Sequence, residues 1–475
     1  MERSSRGSPF LFGREASMLA WQVNGPTASG LPHEVRAHAL APGAWLDGDR
    51  AGAIAAAASI LASLLIAAAL QVSLALALAA IALLAAAAFV ARLSWMGVAL
   101  FLAGFLPWLV VFSAVEPKLT ETFAAGTLVV VLLVVAAPER GQSRASARLR
   151  LGMLLFYIPV LIGLVRDPGS AQLIETAKYF VFPFTVLVVT EGTNLPALRQ
   201  LSRMAFVSGI IAVTFNLLVG LADQGHSYYA AGDIQGFAGE HDVALLAGAV
   251  TAASLGMPTR LKWAGVSAVG AIATIATGVR STLPGLVLAL LAKMLRAGAR
   301  TRSILAVAVV AGAVLVSGVG DVLVHRFHQD QALGQYSSFD ALGSGRGGIY
   351  TTAIRGWWVS SPVDWAIGTG LRSVEAIEQR ATGSSDTAQS DVIQVGVESG
   401  LIGLLGLILI WWTLIARARS KLPLLVLLPF AVFNGSLEYG APIVVTLLLT
   451  LLPADADEQP AADARPHTSV PASAG

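Results

Sequence analysis

The sequence predicts an all-α fold, a polytopic bundle of about 12–14 transmembrane helices with one large extracytoplasmic loop. The first observation is composition: 55% of the 475 residues are hydrophobic and 13% are charged, against about 25% charged in soluble domains. So few charges cannot cover a globular surface of this size. The second observation is that the apolar residues occur in runs close to the ~20 residues needed to cross a bilayer.

One apolar run, residues 51–90, is about twice the length of a single crossing and is interpreted as a helical hairpin. The hairpin and the remaining runs together give fourteen candidate spans, several of them short. The remaining runs are residues 95–115, 120–137, 151–165, 172–190, 203–221, 243–257, 262–278, 281–295, 303–320, 392–415, 422–435 and 441–453.

The alternation of polar and apolar segments divides the chain into five parts. We predict a disordered cytoplasmic tail (1–50), a transmembrane bundle (51–320), a large periplasmic loop (321–391), C-terminal transmembrane spans (392–453) and a second disordered cytoplasmic tail (454–475). A polar loop of about 70 residues inside an apolar chain is too long for a plain connector. The loop is therefore expected to carry function.

The distribution of basic residues predicts the orientation of the bundle. Alternate connections are basic, and the strongest clusters are Arg140, Arg144, Arg148 and Arg150; Arg296, Arg300 and Arg302; and Arg417, Arg419 and Lys421. The positive-inside rule therefore predicts cytoplasmic termini and an extracytoplasmic long loop. Because residues 1–50 show no signal-peptide pattern, the first span is expected to act as its own signal.

Composition also argues against several function classes. The net charge of +2 reflects the basic loops of a membrane protein, so no nucleic-acid partner is predicted. The absence of cysteine excludes disulfides, thiolate metal sites and cysteine nucleophiles. His325 and His328 are spaced for one helix face, but no third ligand is evident, so no metal site is predicted.

Two arginines on the outer side are candidates for binding an anion. Arg280 lies in a tight turn between two spans, where a charge is costly unless it snorkels, pairs or meets a ligand. Arg346 lies among glycines that let the backbone approach a ligand closely, although a flexible turn with a solvated arginine is the alternative. A guanidinium offers two parallel N–H donors to a phosphate group, so both positions suit one.

Other ionisable residues near the outer membrane boundary extend the candidate set. Glu240, His241 and Asp242 directly precede a span. His241 or a carboxylate there can act as a base, whereas Asp242 can instead cap the helix. Lys178 is expected to pair with Glu175, one turn earlier, and to line an interior cavity of the bundle.

The long loop and its exit contribute three further candidates. Arg355 lies in a predicted amphipathic helix of the loop, and Asp391 and Glu398 open the span that follows it. Asp391 can be either a general base or a cap of that helix. Three tryptophans of the loop either stack on sugar rings or anchor the loop at the membrane interface: Trp357, Trp358 and Trp365.

Four segments together resemble the O-antigen ligase/polymerase family of bacterial membrane glycosyltransferases. They are "GFAGEHDVALLAGAV" leading into a span, "TGVRSTLPGLVLALL" forming a tight hairpin, "SGRGGIYTTAIRGWW…WAIGTGL" in the loop, and "SDVIQVGVESGLIGLLG" at the loop exit. Each segment by itself is only a weak match to the family. Their order, spacing and common side across about residues 230–410 carry the resemblance.

The resemblance implies an inner-membrane glycosyltransferase that draws glycan from an undecaprenyl-diphosphate-linked oligosaccharide, with inversion and without metal or other cofactor. Arg280 and Arg346 match family arginines that hold the diphosphate. Family ligases carry a histidine as the base at the loop exit, where this sequence has Ser390 and Asp391. This departure favours a polymerase of exopolysaccharide or O-antigen repeat units, with Asp391 as the candidate base and His241 in reserve.

The partners implied by the resemblance are the lipid-linked oligosaccharide, membrane lipid, and flippase and chain-length regulator proteins. Two alternatives stay open. A ligase would attach finished glycan to a lipid A-core or to protein, and a transporter or lipid flippase would belong to a different class. A transporter should carry charges near the bilayer midplane or paired broken helices, whereas here the charges cluster at the outer edge.

Overall fold

A computed structural model describes residues 95–112, 117–136, 144–222, 240–257, 261–277, 279–296, 346–383 and 387–452 of the chain. Several predicted features lie outside these residues: both tails, the hairpin 51–90, the span 303–320, His325, His328, and residues 321–345 of the long loop.

The described residues form fourteen α-helices and one 3-10 helix. They are α1 (Trp95–Phe112), α2 (Pro117–Val135), α3 (Arg144–Arg166), α4 (Ser170–Glu191), α5 (Leu195–Ala222), α6 (Glu240–Leu255), α7 (Leu261–Ala276), α8 (Thr282–Arg296), α9 (Arg346–Trp358), α10 (Pro362–Ile367), α11 (Ser373–Thr382), α12 (Asp391–Arg417), α13 (Leu422–Asn434), the 3-10 helix Ser436–Glu438, and α14 (Gly440–Leu449). The predicted helical bundle is confirmed.

Three of these helices contain a segment long and apolar enough to cross a membrane: Ala147–Arg166, Leu195–Gly220 and Asp391–Arg417. Seven further apolar helices of the described chain are shorter. Every predicted span that falls on described residues coincides with a helix. These spans make the chain a membrane protein.

Helix α14 occupies the centre of the bundle. All ten of its residues, Gly440–Leu449, are buried, and it packs against α1, α2, α4, α5 and α6. A helix that is apolar on every side needs such a position, because no face of it favours water.

Helices α3 and α12 cross closely at two glycines. A Cβ on Gly406 would lie 2.4 Å from the Phe156 backbone nitrogen, and one on Gly152 would lie 3.0 Å from the Leu409 Cβ. Small residues at a helix crossing let backbones approach, and van der Waals packing then drives association inside a membrane. This contact fixes α12, the helix that begins at Asp391, against α3.

We expect Gly406→Val to disrupt this crossing, since even one added carbon would overlap the backbone of the facing helix. The reduced yield of folded, monodisperse protein after detergent extraction measures the effect. Gly126→Val on α2 is the matched control, because its Cβ would meet no atom within 4 Å. Equal losses for both variants would show that the crossing has no special role.

Helices α6 and α7 run antiparallel in a register that polar contacts define. The hydroxyl oxygens of Ser254 and Ser267 lie 2.6 Å apart, and a Cβ on Gly248 would lie 3.8 Å from the Thr274 methyl group. Continuing this register brings the beginning of α6 to the turn between α7 and α8. The turn containing Arg280 thus lies at the same end of the bundle as the beginning of α6.

Helices α9, α10 and α11 of the long loop dock on a kink in α12. Gly400 has φ 68° and ψ −170° within α12, which frees carbonyl groups that a regular helix would pair internally. The Thr369 N–H donates to the Val397 carbonyl at 2.9 Å, and the Gly370 N–H donates to the Glu398 carbonyl at 3.2 Å. The loop is therefore joined to the membrane helix by backbone hydrogen bonds.

Candidate functional site

Arg346, the first residue of α9, joins three separate parts of the chain. Its Nε donates to Gln389 Oε1 at 2.6 Å, and its Nη1 donates to the Phe433 carbonyl at 2.6 Å. Its Nη2 lies 3.2 Å from His241 Nε2. The guanidinium thereby connects α6, the segment before α12 and the end of α13.

The contact with Arg346 specifies the tautomer of His241. A guanidinium has only N–H donors, so His241 Nε2 must be the acceptor and Nδ1 carries the proton of a neutral ring. The ring also lies beside Tyr439, with centroids 6.2 Å apart. His241 is half-buried at the first turn of α6, so part of its surface stays exposed at this end of the bundle.

Tyr350 lies one turn after Arg346 and supports the same contacts. Its hydroxyl donates to the Gln389 carbonyl at 3.3 Å or to the Phe433 carbonyl at 3.4 Å. Burial raises the pKa of the Tyr350 hydroxyl above its ordinary value, and the nearby Arg346 partly offsets this. The phenol therefore stays protonated at neutral pH and acts as a donor.

Asp391 is buried at the first position of α12, with 2% of its surface exposed. Its Oδ1 accepts from the Leu437 N–H at 3.0 Å, and its Oδ2 accepts a short hydrogen bond from the Ser436 hydroxyl. Both partners belong to the segment after α13, so the carboxylate ties that segment to the beginning of α12. The N-cap position of α12 is Ser390.

A second polar cluster lies one to two turns further along α12. The predicted pair is confirmed, with Lys178 Nζ 2.8 Å from Glu175 Oε2. Gln394 Nε2 donates to Glu175 Oε1 at 3.5 Å, and the Tyr179 hydroxyl donates to Glu398 Oε2 at 2.6 Å. These contacts join α4 to α12 inside the bundle, so Lys178 and Glu398 belong to the interior and not to the Arg346 contacts.

The Arg280 turn is held rigid by hydroxyl groups. Thr277 Oγ1 donates to the Thr274 carbonyl at 2.7 Å, and Thr282 Oγ1 donates to the Val279 carbonyl at 2.8 Å. Arg280 is half-buried there. The α6–α7 register places this turn at the end of the bundle that holds His241.

One sequence candidate does not join these clusters, and the side chain of another is not described. Arg355 is exposed and follows Arg346 by nine residues, which places it ~14 Å further along α9 and on the opposite face. Glu240 is the first residue of α6, and its side chain lies outside the described part of the chain.

Several residues of the site have no distinctive signal in the sequence. The Phe433 carbonyl and the Leu437 N–H are backbone groups, which any residue would supply. Ser436 follows an apolar helix as an ordinary turn residue. Only Tyr350 and Gln389 offer a signal. Tyr350 belongs to the motif at the loop entrance, and Gln389 directly precedes the motif at the loop exit.

Comparison with known proteins gives one family. Residues 265–408 match the model of the family described as O-Antigen ligase, and a search of curated proteins found no match. The matched segment contains Arg280, Arg346, Arg355, Asp391 and Glu398, while Lys178 and His241 precede it. The match to this family supports a glycosyltransferase-like role in O-antigen assembly at a membrane. The match over residues 265–408 supports the resemblance to the O-antigen ligase/polymerase family that the sequence motifs carry.

Proposed function

We propose that the protein is a polymerase of O-antigen or exopolysaccharide repeat units that uses an undecaprenyl-diphosphate-linked oligosaccharide as donor. The observation that carries this proposal is the junction at Arg346, where one guanidinium meets His241 Nε2 at the end of the bundle that also holds the Arg280 turn. A leaving diphosphate needs fixed positive charge, and an arginine offers it in a bidentate geometry.

In the proposed reaction, a hydroxyl oxygen of the acceptor sugar attacks the anomeric carbon of the donor. The new glycosidic C–O bond forms as the bond from that carbon to the diphosphate oxygen breaks, with inversion. Undecaprenyl diphosphate leaves with its negative charge, which Arg346 and Arg280 stabilise. The hydroxyl proton passes to a base of the protein.

Access distinguishes the two candidate bases. Asp391 is buried and both of its oxygens accept hydrogen bonds from residues 436 and 437, which suits a positioning residue. His241 is half-buried and its Nε2 faces Arg346. When the diphosphate draws the Arg346 guanidinium away, the Nε2 lone pair is released for the proton. We therefore propose His241 as the base. Asp391 would act as a positioning residue for the segment after α13, which carries Tyr439 beside the His241 ring.

We expect His241→Gln to lower the transfer rate about 10²–10⁴-fold, the usual contribution of a general base. The glutamine carbonyl still accepts from Arg346, so donor binding should change little. Asp391→Asn keeps the shape of the carboxylate and should cost less than tenfold, or about 1.4 kcal/mol. The measurement is the rate of chain elongation by purified protein with lipid-linked repeats, together with donor affinity.

A large loss for Asp391→Asn with little loss for His241→Gln, both proteins being folded, would make Asp391 the base instead. Unchanged elongation in His241→Gln would remove His241 from the mechanism.

A ligase is the second candidate, and the observation that favours it is the description of the matched family, O-Antigen ligase. The two activities differ in product. Deletion of the gene should leave single lipid-linked repeats if the protein is a polymerase. If the protein is a ligase, finished lipid-linked polymer should accumulate instead.

A further inference from the structure

An apolar surface projects from the corner between α9 and α10. We call it the Trp358 patch, and its members are Ile354, Trp358, Val359, Val363 and Trp365. Trp358 is 66% exposed and Val359 is 82% exposed, and the Trp358 ring stacks on Trp365 with centroids 5.1 Å apart. Exposed apolar residues that adjoin one another mark an interaction site more often than scattered ones do.

The corner that carries the patch is rigid, so the exposure is built into the fold. The Trp357 indole donates to the Asp364 carbonyl at 3.1 Å, and the Trp365 indole donates to the Trp357 carbonyl at 3.1 Å. The Ser361 hydroxyl accepts from the Asp364 N–H and caps α10. These bonds satisfy the polar groups of the corner and leave its apolar side chains facing outward.

The patch continues the lipid-facing surface of a transmembrane helix. Exposed apolar residues follow each other at alternating steps of three and four along α3, one of the three long spans: Leu151, Leu154, Ile158, Leu161 and Val165. Arg166, the next residue, donates to Asp364 Oδ1 at 3.3 Å and to the Gly368 carbonyl at 3.2 Å. Asp364 lies between Val363 and Trp365, so the Arg166 contact brings the C-terminal end of the α3 stripe next to the patch.

We propose that the Trp358 patch lies in the extracytoplasmic leaflet of the bilayer, at the level of the headgroups and the first acyl carbons. Tryptophan is enriched at this depth because its ring is amphipathic. The occupant is a phospholipid bilayer, since the surface that the patch extends is the one that faces lipid. This contact sets the height of α9, whose other end carries Arg346, relative to the membrane.

The absence of cysteine allows a direct test with the full chain. Val359→Cys and Trp358→Cys are each labelled with an environment-sensitive fluorophore and reconstituted into phosphatidylcholine–phosphatidylglycerol vesicles. Quenching is measured with nitroxide lipids labelled near the headgroup and with aqueous iodide. Gln379→Cys, on an exposed position of α11, is the solvent control, and Ile158→Cys on α3 is the lipid control.

We expect the probe at residue 359 to be quenched severalfold more by the nitroxide lipid than the probe at residue 379, and to be less accessible to iodide. Iodide accessibility equal to that of residue 379, without lipid quenching, would overturn the inference in favour of a water-exposed patch. Shielding from both quenchers would overturn it in favour of a protein covering. Because Val359 is the most exposed member of the patch, its replacement keeps the test valid even if Trp358→Cys fails to fold.

Discussion

Replacing Arg346 with alanine is expected to abolish the elongation of glycan chains while leaving the bundle folded. The substitution removes the donors to Gln389, to the Phe433 carbonyl and to His241 together. Loss of one preorganised donor to a developing anion typically costs about 10²–10³-fold in rate. We expect at least this loss for Arg346→Ala, measured as elongation by purified protein and as polymer length in cells.

The Arg346→Lys variant distinguishes the effect of the positive charge on elongation from the effect of the guanidinium geometry. A lysine keeps the positive charge but offers a single ammonium in place of the planar guanidinium with its fork of donors. It cannot reach the three acceptors of Arg346 in the same arrangement, so we expect most of the activity to be lost. Recovery to near the parental rate would mean that charge alone is required.

Arg380→Ala is the matched control for Arg346→Ala. Arg380 is an exposed arginine on α11 of the same loop, so its loss removes an equal charge without touching the junction. We expect unchanged polymer length for this variant. If Arg380→Ala and Arg346→Ala reduce elongation equally, net charge of the loop, and not the junction, would be responsible.

The sequence alone was sufficient for those features that depend on short-range patterns. The spans follow from apolar runs, and the Lys178–Glu175 contact follows from a spacing of three residues on one helix, where side chains are neighbours. Arg346 and Arg355 looked alike in the sequence because both lie in the loop. Helix phase separates them, since nine residues rotate a side chain by about half a turn.

Long-range contacts account for what the sequence could not predict. Ser436 binds Asp391 across 45 residues, and Phe433 binds Arg346 across 87 residues through a carbonyl group that every residue possesses. Neither contact produces a periodic pattern in the sequence. The family motif at the loop exit made Asp391 a candidate base. Its burial, which favours a positioning role over that of a base, depends on the fold of residues 433–438.

The glycines that dock the loop on α12 should be the most sensitive positions for stability. Gly400→Ala would place a Cβ 2.5 Å from the Ala366 carbonyl carbon at a φ of +68°. Gly368→Ala would place one 2.0 Å from the Glu398 carbonyl oxygen at a φ of +84°. Each variant meets both a backbone clash and a strain of about 1–3 kcal/mol, so we expect loss of more than that amount of folding free energy.

Substitutions at two further glycines distinguish the cost of backbone strain from the cost of a steric clash. Gly370 has φ +106° but no atom within 4 Å of an added Cβ, so Gly370→Ala should show strain alone. Gly348 is inside α9 with no atom within 4 Å, and alanine there should be neutral or stabilising by about 0.5–1 kcal/mol. Thermal unfolding in detergent ranks the variants, and limited proteolysis between α9 and α11 reports on docking.

The expected order of stability is Gly348→Ala, then Gly370→Ala, then Gly400→Ala and Gly368→Ala. Docking also holds α9, and hence Arg346, in place. Gly368 and Gly370 share the loop with α9; Gly370 donates a hydrogen bond to the Glu398 carbonyl of α12, and Gly368 lies against the same carbonyl. Elongation should therefore fall in the same order as proteolytic protection. A Gly400→Ala protein with an undocked loop but full elongation would show that Arg346 is positioned by its contacts with Gln389, Phe433 and His241 alone.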